Sequence, residues 1–139
     1  MVYPWHCDHM GHMNVMWYVG KFDEATWNLL ASIGITSKLL QEEGRGMVAV
    51  QQDISYRQEV LAGDVVRVES VLLEVRPKVI RFVHEMKNAV TDELVAVTHL
   101  TGVHIDSIGR RSRPLPDEIV KIASSFVDPD QKLEASQAN

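Results

Sequence analysis

Residues 15–33, VMWYVGKFDEATWNLLASI, read as a helix with almost no polar side: Lys21, Asp23, Glu24 and Asn28 mark a single narrow stripe. A helix apolar around most of its circumference has to be enclosed by other structure, and that requirement restricts the fold more than any other feature of the chain. Ser32-Ile33-Gly34 supplies its stop, because glycine enters the left-handed cap conformation without steric cost. A short second helix is expected over residues 37–43, closed by Gly44.

The enclosing structure follows at once. After Gly46 the hydropathy pattern changes to period two and keeps it for about sixty residues. Val48, Val50, Ile54 and Tyr56 alternate with Gln51, Asp53, Ser55 and Arg57 in a first strand. Residues 65–75, rich in β-branched side chains, form a second after the Gly63-Asp64 break. Arg76-Pro77-Lys78 makes a tight connection to a third strand, in which Ile80, Phe82, His84 and Met86 share a face, and a turn at Thr91-Asp92 leads to a fourth over residues 94–105. Strands joined this briefly are antiparallel neighbours. Residues 2–6 are expected as a further short strand, residues 109–114 as a basic loop, and residues 116–124 as a short helix with Pro116 in its first turn. From residue 127 the chain is polar and is expected to fray. The fold class is therefore α+β, a long buried helix wrapped by a five-stranded antiparallel sheet, in one domain over residues 1–126. Such a sheet leaves edges unpaired, so a homodimer or a tetramer of dimers is expected.

Composition excludes several functions. Nineteen acidic against 14 basic side chains give a net charge of -5 and a pI near 5.6, against a broad nucleic-acid surface or a polybasic membrane contact. One cysteine cannot form an internal disulfide, and no secretory leader or bilayer-spanning apolar run is evident. A cytoplasmic protein is the expectation.

The chemistry concentrates in Trp5-His6-Cys7-Asp8-His9-Met10-Gly11-His12-Met13-Asn14, directly before the long helix. Free N–H groups at a helix start stabilise developing negative charge, so a carboxylate there, Asp8, is a candidate base or nucleophile opposite the Val15 backbone N–H. Asp8 reads equally well as an Asx turn. His12 either orients substrate or packs locally, and Asn14 is first of all the N-cap of the helix. His6, Cys7, Asp8, His9 and His12 include good metal ligands, but their spacing matches no standard zinc pattern, and no metal or other cofactor is expected. Cys7, if in a strand, points away from Asp8 into the core. Trp5, Trp17 and Trp27 are either core or the wall of a pocket for an aromatic acyl group or a quaternary ammonium. Arg76, Lys78 and Arg81, with Arg110, Arg111 and Arg113, are the local basic groups from which a phosphate-bearing ligand would draw.

The string Asp8-His9-Met10-Gly11-His12-Met13-Asn14, followed by Tyr18, Phe22 and Ala25, resembles the signature of hotdog-fold acyl-CoA thioesterases of the 4-hydroxybenzoyl-CoA thioesterase type. Tyr56-Arg57-Gln58-Glu59-Val60 with Gly63-Asp64 is similar to that family's second-to-third strand junction. Val79-Ile80-Arg81-Phe82 is similar to its central strand, and Arg113-Pro114-Leu115-Pro116 to its closing segment. The resemblance implies hydrolysis of an acyl-CoA thioester to free acid and CoA at a subunit interface. It makes Asp8 the catalytic carboxylate and the Val15 backbone N–H the oxyanion donor, while His12 or Asn14 positions substrate or water. Trp5, Trp17 and Tyr18 are then expected against the substrate, and Arg76, Lys78 and Arg81 near its nucleotide. Some relatives carry His or Tyr at the position of Val15, so only the backbone role transfers. The other reading is a non-catalytic acyl-CoA or aromatic-ligand binding module on the same fold.

Overall fold

The computed structural model describes residues 1–127, so the expected frayed tail lies, from residue 128 onward, outside the described residues. The long helix α1 spans Val15–Ser32 and a short α2 spans Ser37–Glu42. Four long strands follow, β1 (Arg45–Tyr56), β2 (Val66–Val75), β3 (Val79–Asn88) and β4 (Leu94–Asp106), then a two-residue β5 (Arg111–Ser112) and α3 (Asp117–Phe126). The sheet order is β1-β4-β3-β2, with every pairing antiparallel and β5 added to β4.

Local signals account for the boundaries of α1. Asn14 caps its start by accepting the Met16 N–H, and Gly34, at φ 98°, ends it just after Ile33. The inner face of the sheet then receives one side of the helix. Leu30, Ile33 and Ile35 pack with Leu72, Ile80 and Phe82, while Tyr18, Phe22 and Met13 pack with Val60, Met86 and Ala96. Each large apolar side chain buried this way contributes on the order of 1.5–3 kcal/mol. Between the two groups a polar clamp crosses from helix to sheet. The Thr26 hydroxyl donates to the Phe22 carbonyl at 3.0 Å and therefore accepts from His84 Nε2–H at 2.9 Å, and Ser70 Oγ donates to His84 Nδ1 at 2.6 Å.

Three expectations are corrected. Residues 2–6 do not form a strand: Pro4 lacks an N–H and fixes φ, and Pro4–His6 is a 3-10 turn in which His6 Nδ1 accepts the Tyr3 N–H at 3.0 Å. Only Val2 keeps sheet-like bonds, to Gly63 and Asp64. The fifth strand instead comes from the expected basic loop, whose Arg111 and Ser112 pair with Asp106 and Ile105. Pro116 caps α3 from outside rather than sitting in its first turn. Thirdly, within one chain α1 is not enclosed on most sides. Val15, Met16, Val19 and Trp27 are 58, 63, 37 and 44% exposed, because the sheet wraps only the face carrying Tyr18, Phe22 and Leu30.

Candidate active site

The segment before α1 folds back on itself. Cys7 and Met13 form an antiparallel bridge, the Asp8 N–H donates to the His12 carbonyl at 3.1 Å, and the Gly11 N–H donates to the Asp8 carbonyl at 3.0 Å. Gly11 turns the chain at φ 89°, a left-handed conformation that a side chain would strain. Two further bonds anchor this loop: the Met13 N–H donates to the Val60 carbonyl at 2.7 Å and the Asn14 N–H to the His6 carbonyl at 2.8 Å. Cys7 is half-buried and packs against the Val2–Met13 cluster.

Both oxygens of Asp8 are engaged. Its Oδ1 accepts the Met10 N–H at 2.9 Å, which is the Asx turn, and its Oδ2 accepts from Asn14 Nδ2 at 3.1 Å. Asn14 uses both ends of its amide, since Oδ1 accepts the Met16 N–H at 2.9 Å. The carboxylate is thus tied by one side chain to the first turn of α1. Of the first N–H groups there, Met16 is capped and Trp17 donates to the Asn14 carbonyl at 2.9 Å, while Val15 N–H has no acceptor among the described residues. An anionic or carbonyl oxygen is the partner such a group lacks.

His12 stands beside this point with Nε2 3.5 Å from Glu59 Oε1. A shallow cleft of about 260 Å³ opens here, lined by His12, Val15, Tyr18, Tyr56 and Glu59 among others. Tyr18 is buried, donates its hydroxyl to the Gln58 carbonyl at 3.0 Å and meets the Tyr56 ring edge-to-face, with centroids 5.2 Å apart. Burial pushes the Tyr18 phenol above its ordinary range, with the Glu59 charge and then Tyr56 adding to the effect. Glu59 and Tyr56 were not recognised as site residues from the sequence. They lie more than forty positions from Asp8, and long-range contacts that no local pattern announces, such as the Met13–Val60 bond, bring that junction to the loop.

Other expected residues are placed elsewhere. Trp5 is exposed and stacked on Tyr3 at 4.3 Å, and Trp17 packs on His6 at 4.5 Å, where burial and then the Lys21 charge lower the His6 pKa. Neither Trp5 nor Trp17 lines the cleft. Trp27 lines a second cleft between α1 and the sheet, with Val19, Met47 and Phe82. Arg76 and Arg81 both pair with Glu74, at 2.6 and 3.3 Å. They and Lys78 sit around the β2–β3 turn, whereas the Asp8 loop lies at the other end of the sheet, near Tyr56, Ala96 and Met86. Seven residues of β3 separate the two ends, roughly 23 Å, so one protomer does not bring these cations to Asp8.

A long helix packed against an antiparallel sheet defines the hotdog class of α+β folds. Residues 2–122 match the thioesterase-like superfamily, and the chain belongs to it. Over 132 residues it is 24% identical to a betainyl-CoA thioesterase of Pseudomonas aeruginosa, covering 95% of this chain and 83% of that protein. A Rhizobium meliloti L-carnitine dehydrogenase/betainyl-CoA thioesterase is 25% identical over 128 residues, covering 92% of this chain but only 26% of the relative. Among solved structures, protein SAV2348 of Staphylococcus aureus, in complex with CoA, superposes with a TM-score of 0.87 at 18% identity, covering 96% of this chain and 85% of that one.

Proposed function

We propose that the protein hydrolyses an acyl-CoA thioester to the free acid and CoA. The observation that carries this reading is the Asp8–Asn14–Met16 chain of hydrogen bonds, which fixes a carboxylate beside the unpartnered Val15 N–H. With the thioester carbonyl accepting from Val15 N–H, negative charge gathering on that oxygen in the transition state is stabilised by the helix end. Asp8 then either removes a proton from an attacking water or attacks the carbonyl carbon itself. In both routes the carbon–sulfur bond breaks, thiolate leaves and is protonated, and one water is consumed in total. In this reading His12 orients substrate or water and Asn14, which donates to Asp8 Oδ2 at 3.1 Å, positions the carboxylate. The CoA complex of the structurally similar SAV2348 and the two betainyl-CoA thioesterases support a CoA thioester as substrate.

We further propose a homodimer formed at β1. This edge strand is exposed from Ala49 to Asp53, with a bulge at Val50, and it flanks the exposed α1 stripe of Val19 and Trp27. Pairing two β1 edges about a twofold axis would extend the sheet and cover that stripe. Cytoplasmic location is part of the same proposal; no helix among the described residues is long and apolar enough to cross a membrane.

The test is thiol release from a panel of aromatic, short and long aliphatic, and quaternary-ammonium acyl-CoAs, with wild type beside Asp8→Asn. Turnover on one class that falls about 100-fold or more in the variant is the expected result. Near-full turnover in Asp8→Asn would remove Asp8 from its role. Stoichiometric binding with no release from any substrate would overturn the enzymatic reading in favour of a binding module.

A further inference from the structure

Resting on the thioesterase reading, we infer that the cleft beside Val15 N–H receives the acyl group and selects a compact cationic one, a quaternary ammonium, through the Tyr56 ring and the Glu59 carboxylate. Tyr56 is 46% exposed and is held by its edge-to-face contact with Tyr18, so its position is fixed while part of its surface faces the opening. The Tyr18 hydroxyl is already spent on the Gln58 carbonyl at 3.0 Å, so it is not a free donor for a ligand. Glu59 approaches His12 Nε2 at 3.5 Å and makes no hydrogen bond among the described residues. Glu59 lines the cleft beside Tyr56, Tyr18 and Val15. Arg57 also lines the rim, and its side chain or backbone is engaged by partners of its own.

The chemistry of the lining separates possible occupants. A quaternary ammonium donates no hydrogen bond and is weakly hydrated, so it is bound by an aromatic surface and a nearby negative charge, both present here. A primary ammonium would need several aligned acceptors, which the mainly apolar wall does not supply. A neutral acyl group filling the cleft would strip water from Glu59 and return no compensating charge. The cleft is also adjacent to the oxyanion donor, so the charge must lie within a few bonds of the thioester carbonyl.

The experiment compares trimethylammonioacetyl-CoA with tert-butylacetyl-CoA, which has the same shape with carbon in place of nitrogen. Wild type is expected to favour the cation about tenfold or more in kcat/KM. Glu59→Gln and Tyr56→Leu are each expected to shrink that ratio toward unity, chiefly through KM for the cationic substrate. Equal kcat/KM for the two substrates in wild type would overturn the inference while leaving the thioesterase reading intact. So would a Glu59→Gln variant that loses both activities in parallel, because Glu59 would then act only by positioning His12. Thiol release from other acyl-CoAs but from neither of these would likewise reject the cationic subsite alone. Absence of release from every acyl-CoA tested would overturn both.

Discussion

In the proposed mechanism Asn14 links helix stability to chemistry through the two ends of one amide, and that makes the two effects separable. Asn14→Asp keeps an acceptor for the Met16 N–H but loses the donor to Asp8 and places a like charge beside it. Activity should fall about 10- to 100-fold from the misplaced carboxylate, with thermal stability little changed. Asn14→Ala removes both functions and should cost about 1 kcal/mol of stability as well. Thermal melts and thiol-release assays on the pair check this, and parallel losses in both variants would disprove the separation. At Thr98 the opposite holds: its buried hydroxyl has no partner among the described residues, so Thr98→Val should leave the melting temperature unchanged or raised.

At the scale of elements, α1 is held to the sheet by apolar packing and by one titratable group. Burial lowers the His84 pKa to about 4 from its ordinary 6.5. A histidine kept neutral by the fold binds its proton more readily when unfolded, so its contribution is complete above about pH 6.5 and is lost as pH falls through about 4. The amount at stake is on the order of 3 kcal/mol. Denaturant titrations between pH 7 and 4 should show a loss that is smaller in His84→Leu, a variant less stable at pH 7 because Thr26 and Ser70 lose their partner. An unaltered pH slope in that variant would show that His84 is not the source. Elements of this kind were legible in the sequence where period and punctuation agreed: α1 with its Asn14 cap and Gly34 stop, and the four long strands. The two-residue β5 was not, because so short a pairing leaves no periodic trace, and neither was the 3-10 turn, where Pro4 overrode an apparently extended stretch. In the candidate site, the proximity of Asp8 and Asn14 to the start of α1 at Val15 could be read because it is local. Glu59 and Tyr56 could not, since a long-range backbone bond places them.

The whole molecule carries a conflict between helix and sheet that the proposed dimer would resolve. The sequence reads α1 as wrapped on most sides, yet one chain leaves Val15, Met16, Val19 and Trp27 open. Light scattering at micromolar concentration should give a dimer or a multiple of it. Val50→Pro, at the bulge on the free edge, should weaken association before it weakens folding. A wild-type monomer would contradict both the proposed dimer and the expectation that the helix is enclosed.

The uneven hydrogen bonding at the start of α1 has a kinetic counterpart. Met13 N–H is sealed against the Val60 carbonyl, while Val15 N–H, two residues later, has no acceptor among the described residues. In deuterated water the Val15 amide should exchange at close to the rate of an unprotected peptide and the Met13 amide far more slowly. A bound carbonyl or carboxylate would slow Val15 and leave Met13 as it was. One backbone proton therefore reports occupancy of the site without any turnover, including in an inactive Asp8→Asn protein.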